Sequence, residues 1–190
     1  YFDIPGALKK IKDPKRKASF LKIVAHKFVN PNYKKVITVD GSMRINCNLD
    51  DFLKIYNKNN DDFTIARHPK RTCLYKEARE VLRLQFDQKE IVDNQINRYK
   101  LEGFPKNIGL YGTRVMIKNN HSANLNSFFD LWAEEYLKGS KRDQISMTYA
   151  LWKYNKNNSK KVKVNSFNFK EVYLDKKFFE ITPHLKSKKI

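Results

Sequence analysis

The chain has 190 residues, 41% of them hydrophobic, which suits one domain with a real core; 39 Lys and Arg against 20 Asp and Glu leave a formal charge of +19. Such a field favours anionic partners: a nucleic acid, a diphosphate or an anionic surface. No apolar run approaches the roughly 20 residues of a membrane helix, and Cys47 and Cys73 are too few for a disulfide framework, so the expectation is a cytoplasmic protein with no membrane span.

The sequence opens at Tyr1 without an initiator Met or a leader, which reads as an excised piece forming a single domain over 1–190. Asp13-Pro14 opens a helical stretch carrying Phe20, Ile23, Val24 and Phe28 at helical spacing, and Asn30-Pro31-Asn32 stops it. The run Lys35-Val36-Ile37-Thr38-Val39 is β-branched without alternation, the pattern of a strand covered on both faces, and it ends in Asp40-Gly41-Ser42. Asn48 can cap a helix with Leu49, Phe52, Leu53 and Tyr56 on one face. Phe63-Thr64-Ile65-Ala66 reads as the next strand, broken by Arg67-His68-Pro69. Helices are expected from Cys73 to Gln88 and from Ile91 to Tyr99, with a turn at Gly103-Phe104-Pro105. Gly109 to Ile117 looks extended, whereas Leu125 to Leu137 and Asp143 to Tyr154 look helical. The Lys- and Asn-rich run from Asn155 to Lys163 reads as an exposed loop. Alternating strands and helices predict an α/β domain whose mostly parallel central sheet is flanked by helices.

In open α/β sheets ligands gather at the carboxyl ends of strands, and both Asp40 and Arg67-His68 fall at predicted strand ends. Asp40 precedes Gly41, so its carboxylate would emerge where a small residue leaves room for a ligand such as a hard cation; Asp before Gly also closes ordinary turns. Arg67, His68, Lys70 and Arg71 concentrate cationic donors suited to phosphate or carboxylate, while Glu77 is placed to pair with Arg71. Trp132 and Glu135 offer an aromatic plane and a carboxylate to a sugar, or pack with Phe128 and Phe129 in a core.

Taken in order, Val39-Asp40-Gly41-Ser42-Met43, Arg67-His68-Pro69 with Arg71 and Glu77-Ala78, Gln95 and Tyr99 with Gly103 and Pro105, Trp132 and Glu135, and Arg142-Asp143-Gln144 with Trp152-Lys153 resemble a glycosyltransferase-like domain family. Its members occur in plant, bacterial and large-virus proteins. The resemblance spans residues 16 to 185 and implies a GT-A, Rossmann-like fold using a nucleotide-diphosphate sugar, a UDP-sugar first among donors, and a glycan acceptor. It implies Mn²⁺ or Mg²⁺ held by Asp40 and by a tail histidine, His184. Ser42 would stand where such enzymes usually keep a second carboxylate. It further implies that Arg16, Lys22, Ser42, Arg67, His68 and Lys186 face the donor, that Trp132, Glu135 and Arg142 face the acceptor, and that Asp143 and Gln144 act at the reacting centre. Asp143 would accept the acceptor's proton, although an Asp at a helix N-terminus also serves the helix itself.

Two other readings stand beside this one. A basic nucleic-acid-binding module would fit the charge and the aromatics Tyr149, Trp152, Tyr154 and Phe167, but no helix-turn-helix, zinc-finger or RRM signature accompanies them, so no nucleic acid is expected. A carbohydrate-binding domain with a decayed site would fit the Gly41-Ser42 pair.

Overall fold

The computed structural model describes residues 4–57 and 61–182. Among them run α1 (Ile4–Lys10), α2 (Pro14–Ile23), β1 (Lys35–Val39), β2 (Met43–Ile45), α3 (Leu49–Tyr56), β3 (Phe63–Arg67), α4 (Leu74–Arg83), α5 (Lys89–Leu101), β4 (Tyr111–Asn119), α6 (Ala123–Leu137), α7 (Asp143–Asn157), β5 (Val164–Phe167) and β6 (Phe179–Ile181). A single π-helical turn, Lys170–Leu174, precedes β6. Local chemistry sets many of the boundaries. Asp13 accepts the Lys15 and Arg16 backbone N–H groups at the start of α2, where Pro14 loses no intrahelical bond. Asn48 caps α3 in the same way. α4 stops at Arg83, short of the expected end, and Gln85 follows with φ of 53°.

The central sheet has the order β1-β4-β3-β5. β4 runs antiparallel to both β1 and β3, and only β3 and β5 are parallel. The sheet is therefore mixed, not mostly parallel as alternation suggested, because β4 returns between β1 and β3 instead of being joined to them by crossovers. β1 lies at an edge; of its residues only Val36 is fully buried, so it is not the doubly covered strand its composition implied. β2 and β6 form a separate two-stranded sheet.

One face of the central sheet, through Phe63, Ile65 and Met116, packs on α2, α6 and α7. The other, through Ala66, Val115 and Ile117, packs on α3, the π turn and Phe179. α7 supplies Met147 and Ala150 to the first core and Ile145 and Tyr149 to a further cluster with α4 and α5. Among the described residues no helix is long and apolar enough to cross a membrane.

The register fixes a rim. Val39 pairs with Val115 and Arg67 with Tyr111, so the carboxyl ends of β1 and β3 meet the start of β4. Between Ile65 and Ala66 the β4 partner jumps from Met116 to Gly112, which takes Thr113, Arg114 and Val115 out of the β3 ladder. An irregularity of this kind re-aims backbone and side chains at an edge.

Candidate active site

At that rim three distant segments converge on one ammonium group. Lys22, in the last turn of α2, donates its Nζ to Asp40 Oδ1 at 2.7 Å and to the Thr113 carbonyl at 2.9 Å, and pairs with Asp143 Oδ2 at 2.9 Å. An ammonium has three N–H groups, and three oxygens use them. Thr113 Oγ1 donates to Asp143 Oδ1 at 2.8 Å, so both oxygens of Asp143 are engaged. Asp40 Oδ2 has no partner among the described residues. Exposure follows the same gradient: the side chains of Lys22, Asp143 and Asp40 are 8%, 11% and 32% exposed.

Burial opposes the Lys22 charge, but Asp143 and Asp40 outweigh it and raise the pKa, so the group stays protonated. Burial also works against an ionised Asp143; Lys22 and the Thr113 hydroxyl overcome it and hold the carboxyl below its ordinary value. At Asp40 burial dominates, and the pKa is raised despite Lys22. Two carboxylates and one ammonium leave one net negative charge, and the open oxygen of Asp40 carries it outward.

The backbone presents these groups. Asp40 donates its N–H to the Arg114 carbonyl at 2.8 Å, and its own carbonyl accepts from Met43 at 2.9 Å. The Asp40–Gly41–Ser42–Met43 turn is thus closed by main chain, and the carboxylate does not serve as a turn cap. Thr182 donates its N–H to the Ser42 carbonyl at 2.8 Å, which brings the end of β6 against the same turn. Asp143 is the first residue of α7, where the helix dipole favours a carboxylate. The approach to it is held closely. Gly139 leaves room for the Gln95 amide, which a Cβ would meet at 2.2 Å, and Gln95 Oε1 accepts the Ser140 N–H. Asp87 Oδ2 accepts from the Ser140 hydroxyl and the Lys141 N–H, both at 2.7 Å.

Other expected site residues are placed differently. Lys22 is saturated by protein oxygens and so does not face a donor directly. Arg16 donates Nη2 to the Tyr136 and Leu137 carbonyls and lies over the Tyr136 ring, fastening the C-terminus of α6. The ring of His68 is buried: Nδ1 accepts the Lys70 and Arg71 N–H groups, and Nε2 lies 3.6 Å from Glu77, itself ion-paired with Arg71. Burial pushes the His68 pKa down, favouring the neutral ring. Trp132 is fully buried and donates Nε1 to Ser146, so a sugar cannot reach it. Glu135 is 1% exposed and lies 2.7 Å from Arg98, tying α6 to α5. Arg67 is exposed and donates Nε to Ser166 on β5. Arg142 donates to Gln144 Oε1 and stands near enough to act on both Asp143 and His68. His184 and Lys186 lie outside the described residues.

Sequence reasoning passed over Thr113 and Arg114. Thr113 joins the cluster by its carbonyl and its hydroxyl; the Arg114 charge opposes the rise in the Asp40 pKa, and its guanidinium makes no hydrogen bond or ion pair among the described residues. Their signal was a Thr-Arg pair inside a strand that is otherwise apolar from Val115 to Ile117.

A divalent cation needs several hard ligands. Among the described residues no group of three or more His, Cys, Asp or Glu could hold a metal ion. Lys22 already occupies the space between the two carboxylates, and only the second oxygen of Asp40 is left to offer. These residues do not build a metal shell by themselves.

A family model described as TOD1/MUCI70, glycosyltransferase-like domain, matches residues 8–184, which takes in every side chain of this cluster. No curated protein matches the chain.

Proposed function

The chain belongs to the TOD1/MUCI70 glycosyltransferase-like family, and from that premise we propose that it transfers a sugar from a nucleotide-diphosphate sugar, a UDP-sugar first among candidates, to a hydroxyl of a glycan or glycoprotein. The observation that carries this reading is the convergence of Asp40, Lys22 and Asp143 at a strand-end rim, with one carboxylate oxygen left open.

In the proposed transfer, the acceptor oxygen bonds to the anomeric carbon as the bond from that carbon to the diphosphate breaks and the diphosphate leaves with the electron pair. The acceptor proton passes to a carboxylate. Asp143, low in pKa and saturated with donors, is poorly suited to receive it; Asp40, raised in pKa and open on one side, suits the task. Lys22 and Asp143 act as positioning residues that hold Asp40 at the rim. Arg114 and Arg142, whose charges act on Asp40 and Asp143, would meet the diphosphate charge.

A GT-A type of fold and an Mn²⁺ or Mg²⁺ ion remain parts of the proposal. Such an ion would draw on the open oxygen of Asp40, which could then no longer take the acceptor proton, on His184, two residues past the Ser42-bound Thr182, and on the diphosphate itself, with Lys186 beside it in sequence. When bound it would neutralise the leaving group. No step above runs through it. The reading is tested by UDP release from UDP-sugars with and without glycan acceptors: turnover in the wild type that falls at least about 100-fold in Asp40→Asn supports it, and equal turnover in the two proteins refutes it.

A further inference from the structure

A second feature of the same rim has no role in the cluster above. An open cleft of about 350 Å³ lies between the start of β4 and one face of α7, lined by Ile108, Tyr111, Thr148, Leu151, Trp152, Asn155 and Lys156. Its position ties it to the site. Gln144 shares a helical face with Thr148 and Trp152, each four residues beyond the last, and the Thr148 hydroxyl donates to the Gln144 carbonyl. On β4, Tyr111 packs with the core that contains α7, and Thr113, two residues on, is bonded to Asp143. The cleft therefore leads away from the reacting rim along α7.

Its lining has a definite chemistry. Tyr111 and Trp152 line it with aromatic rings, a kind of surface against which the C–H face of a pyranose packs. The amide of Asn155 is consumed by the Val162 backbone, so it offers little to a ligand. The charged groups left to select a ligand are cationic. The Lys156 ammonium lies 4.9 Å from the centre of the Trp152 ring and has no ion-pair partner among the described residues. Arg67 is the cross-strand partner of Tyr111 and acts on its phenol, while only its Nε is engaged, by Ser166. Among the described residues no carboxylate lines this cleft.

We propose that the β4–α7 cleft is the acceptor subsite and that it takes a sugar ring bearing a negative charge, a uronate in an acidic glycan. The aromatic pair holds the ring, Lys156 and Arg67 hold its carboxylate, and the next sugar along the glycan reaches Asp40 and Gln144. This rests on the transferase reading and replaces Trp132 and Glu135, both buried, as the acceptor contacts.

The chain has two tryptophans, which makes the test specific. In a ¹⁵N-labelled sample the two indole signals are assigned with Trp152→Phe, and the buried Trp132 serves as an internal control. Titration with a hyaluronan tetrasaccharide, which carries uronates, should move the Trp152 signal to saturation and leave Trp132 unmoved. Chitotetraose, its neutral counterpart, should need at least about ten times the concentration, and Lys156→Ala should weaken the acidic ligand about three- to tenfold. An unmoved Trp152 signal, an equal response to the neutral sugar, or full affinity in Lys156→Ala would overturn the subsite. UDP-glucose binding, measured separately by calorimetry on wild type and Trp152→Ala, keeps the two readings apart. Its presence in both proteins beside a silent cleft refutes the subsite alone. Its absence from both, beside a cleft that binds the acidic glycan, refutes the donor assignment alone.

Discussion

Lys22 Nζ stands 2.7 Å from Asp40 and 2.9 Å from Asp143, and by joining two carboxylates far apart in the sequence it holds the start of α7 against the end of β1. A buried ion whose partner is removed is left uncompensated, which costs roughly 3–5 kcal/mol. Lys22→Met should therefore lower unfolding free energy by about that amount in urea. Adding Asp143→Asn should recover part of the loss, because the two changes share one interaction. Additive losses would show that the ammonium does not couple these groups.

The same cluster gives stability a defined pH window. The folded-state pKa of Asp143 is lowered, so its contribution is present above the unfolded carboxylate value and is lost as pH falls through the folded one. That of Lys22 is raised, so its contribution is complete below the unfolded lysine value and is lost as pH rises through the folded one. Denaturation midpoints of the wild type should fall toward both extremes, and Lys22→Met should flatten the alkaline fall.

Lys118 behaves in the opposite sense. It is 1% exposed, its Nζ has no hydrogen-bond partner among the described residues, and it sits 4.6 Å from the centre of the Phe129 ring. Burial depresses its pKa to about 7, with Asp130 opposing and Lys27 adding to the shift. Between that value and the unfolded one near 10.5, the unfolded chain holds a proton that the folded chain lacks, so stability rises with pH across this window. Lys118→Met should stabilise the protein by roughly 2 kcal/mol or more at pH 7. The gain should shrink as pH approaches 10; a gain independent of pH would contradict the assignment.

Glu135 separates packing from binding. Its carboxylate lies against Arg98 at 2.7 Å and Lys153 at 3.8 Å. Glu135→Gln should lower stability by about 3 kcal/mol while leaving saccharide affinity within twofold of wild type. A selective loss of saccharide binding at unchanged stability would return Glu135 to the acceptor site.

The sequence disclosed local features and concealed those decided by partners far along the chain. Asp13-Pro14, Asn48 and the β-branched run before Asp40 announce their elements through caps and side-chain shape, and the structure keeps them. Strand direction was hidden, since β4 reads as extended whichever way it runs. β5 was missed because Asn165 and Ser166 dilute its apolar pattern at a sheet edge, and β2 and β6 are three residues each. Lys22 resembles any lysine near a helix end, and its role follows from Thr113 and Asp143, 91 and 121 positions away. Trp132 and Glu135 looked like a sugar platform because the partners that bury them, Ser146 and Arg98, lie on other helices.

Whether the open oxygen of Asp40 marks a nucleotide-sugar site is read out by a thermal-shift panel of UDP-, GDP- and CMP-sugars on wild type and Asp40→Asn, each with and without Mn²⁺. One nucleotide class should raise the wild-type midpoint selectively, and that shift should be lost in Asp40→Asn. A panel in which no nucleotide sugar stabilises the wild type, or in which Asp40→Asn responds equally, would contradict a nucleotide-sugar site at Asp40.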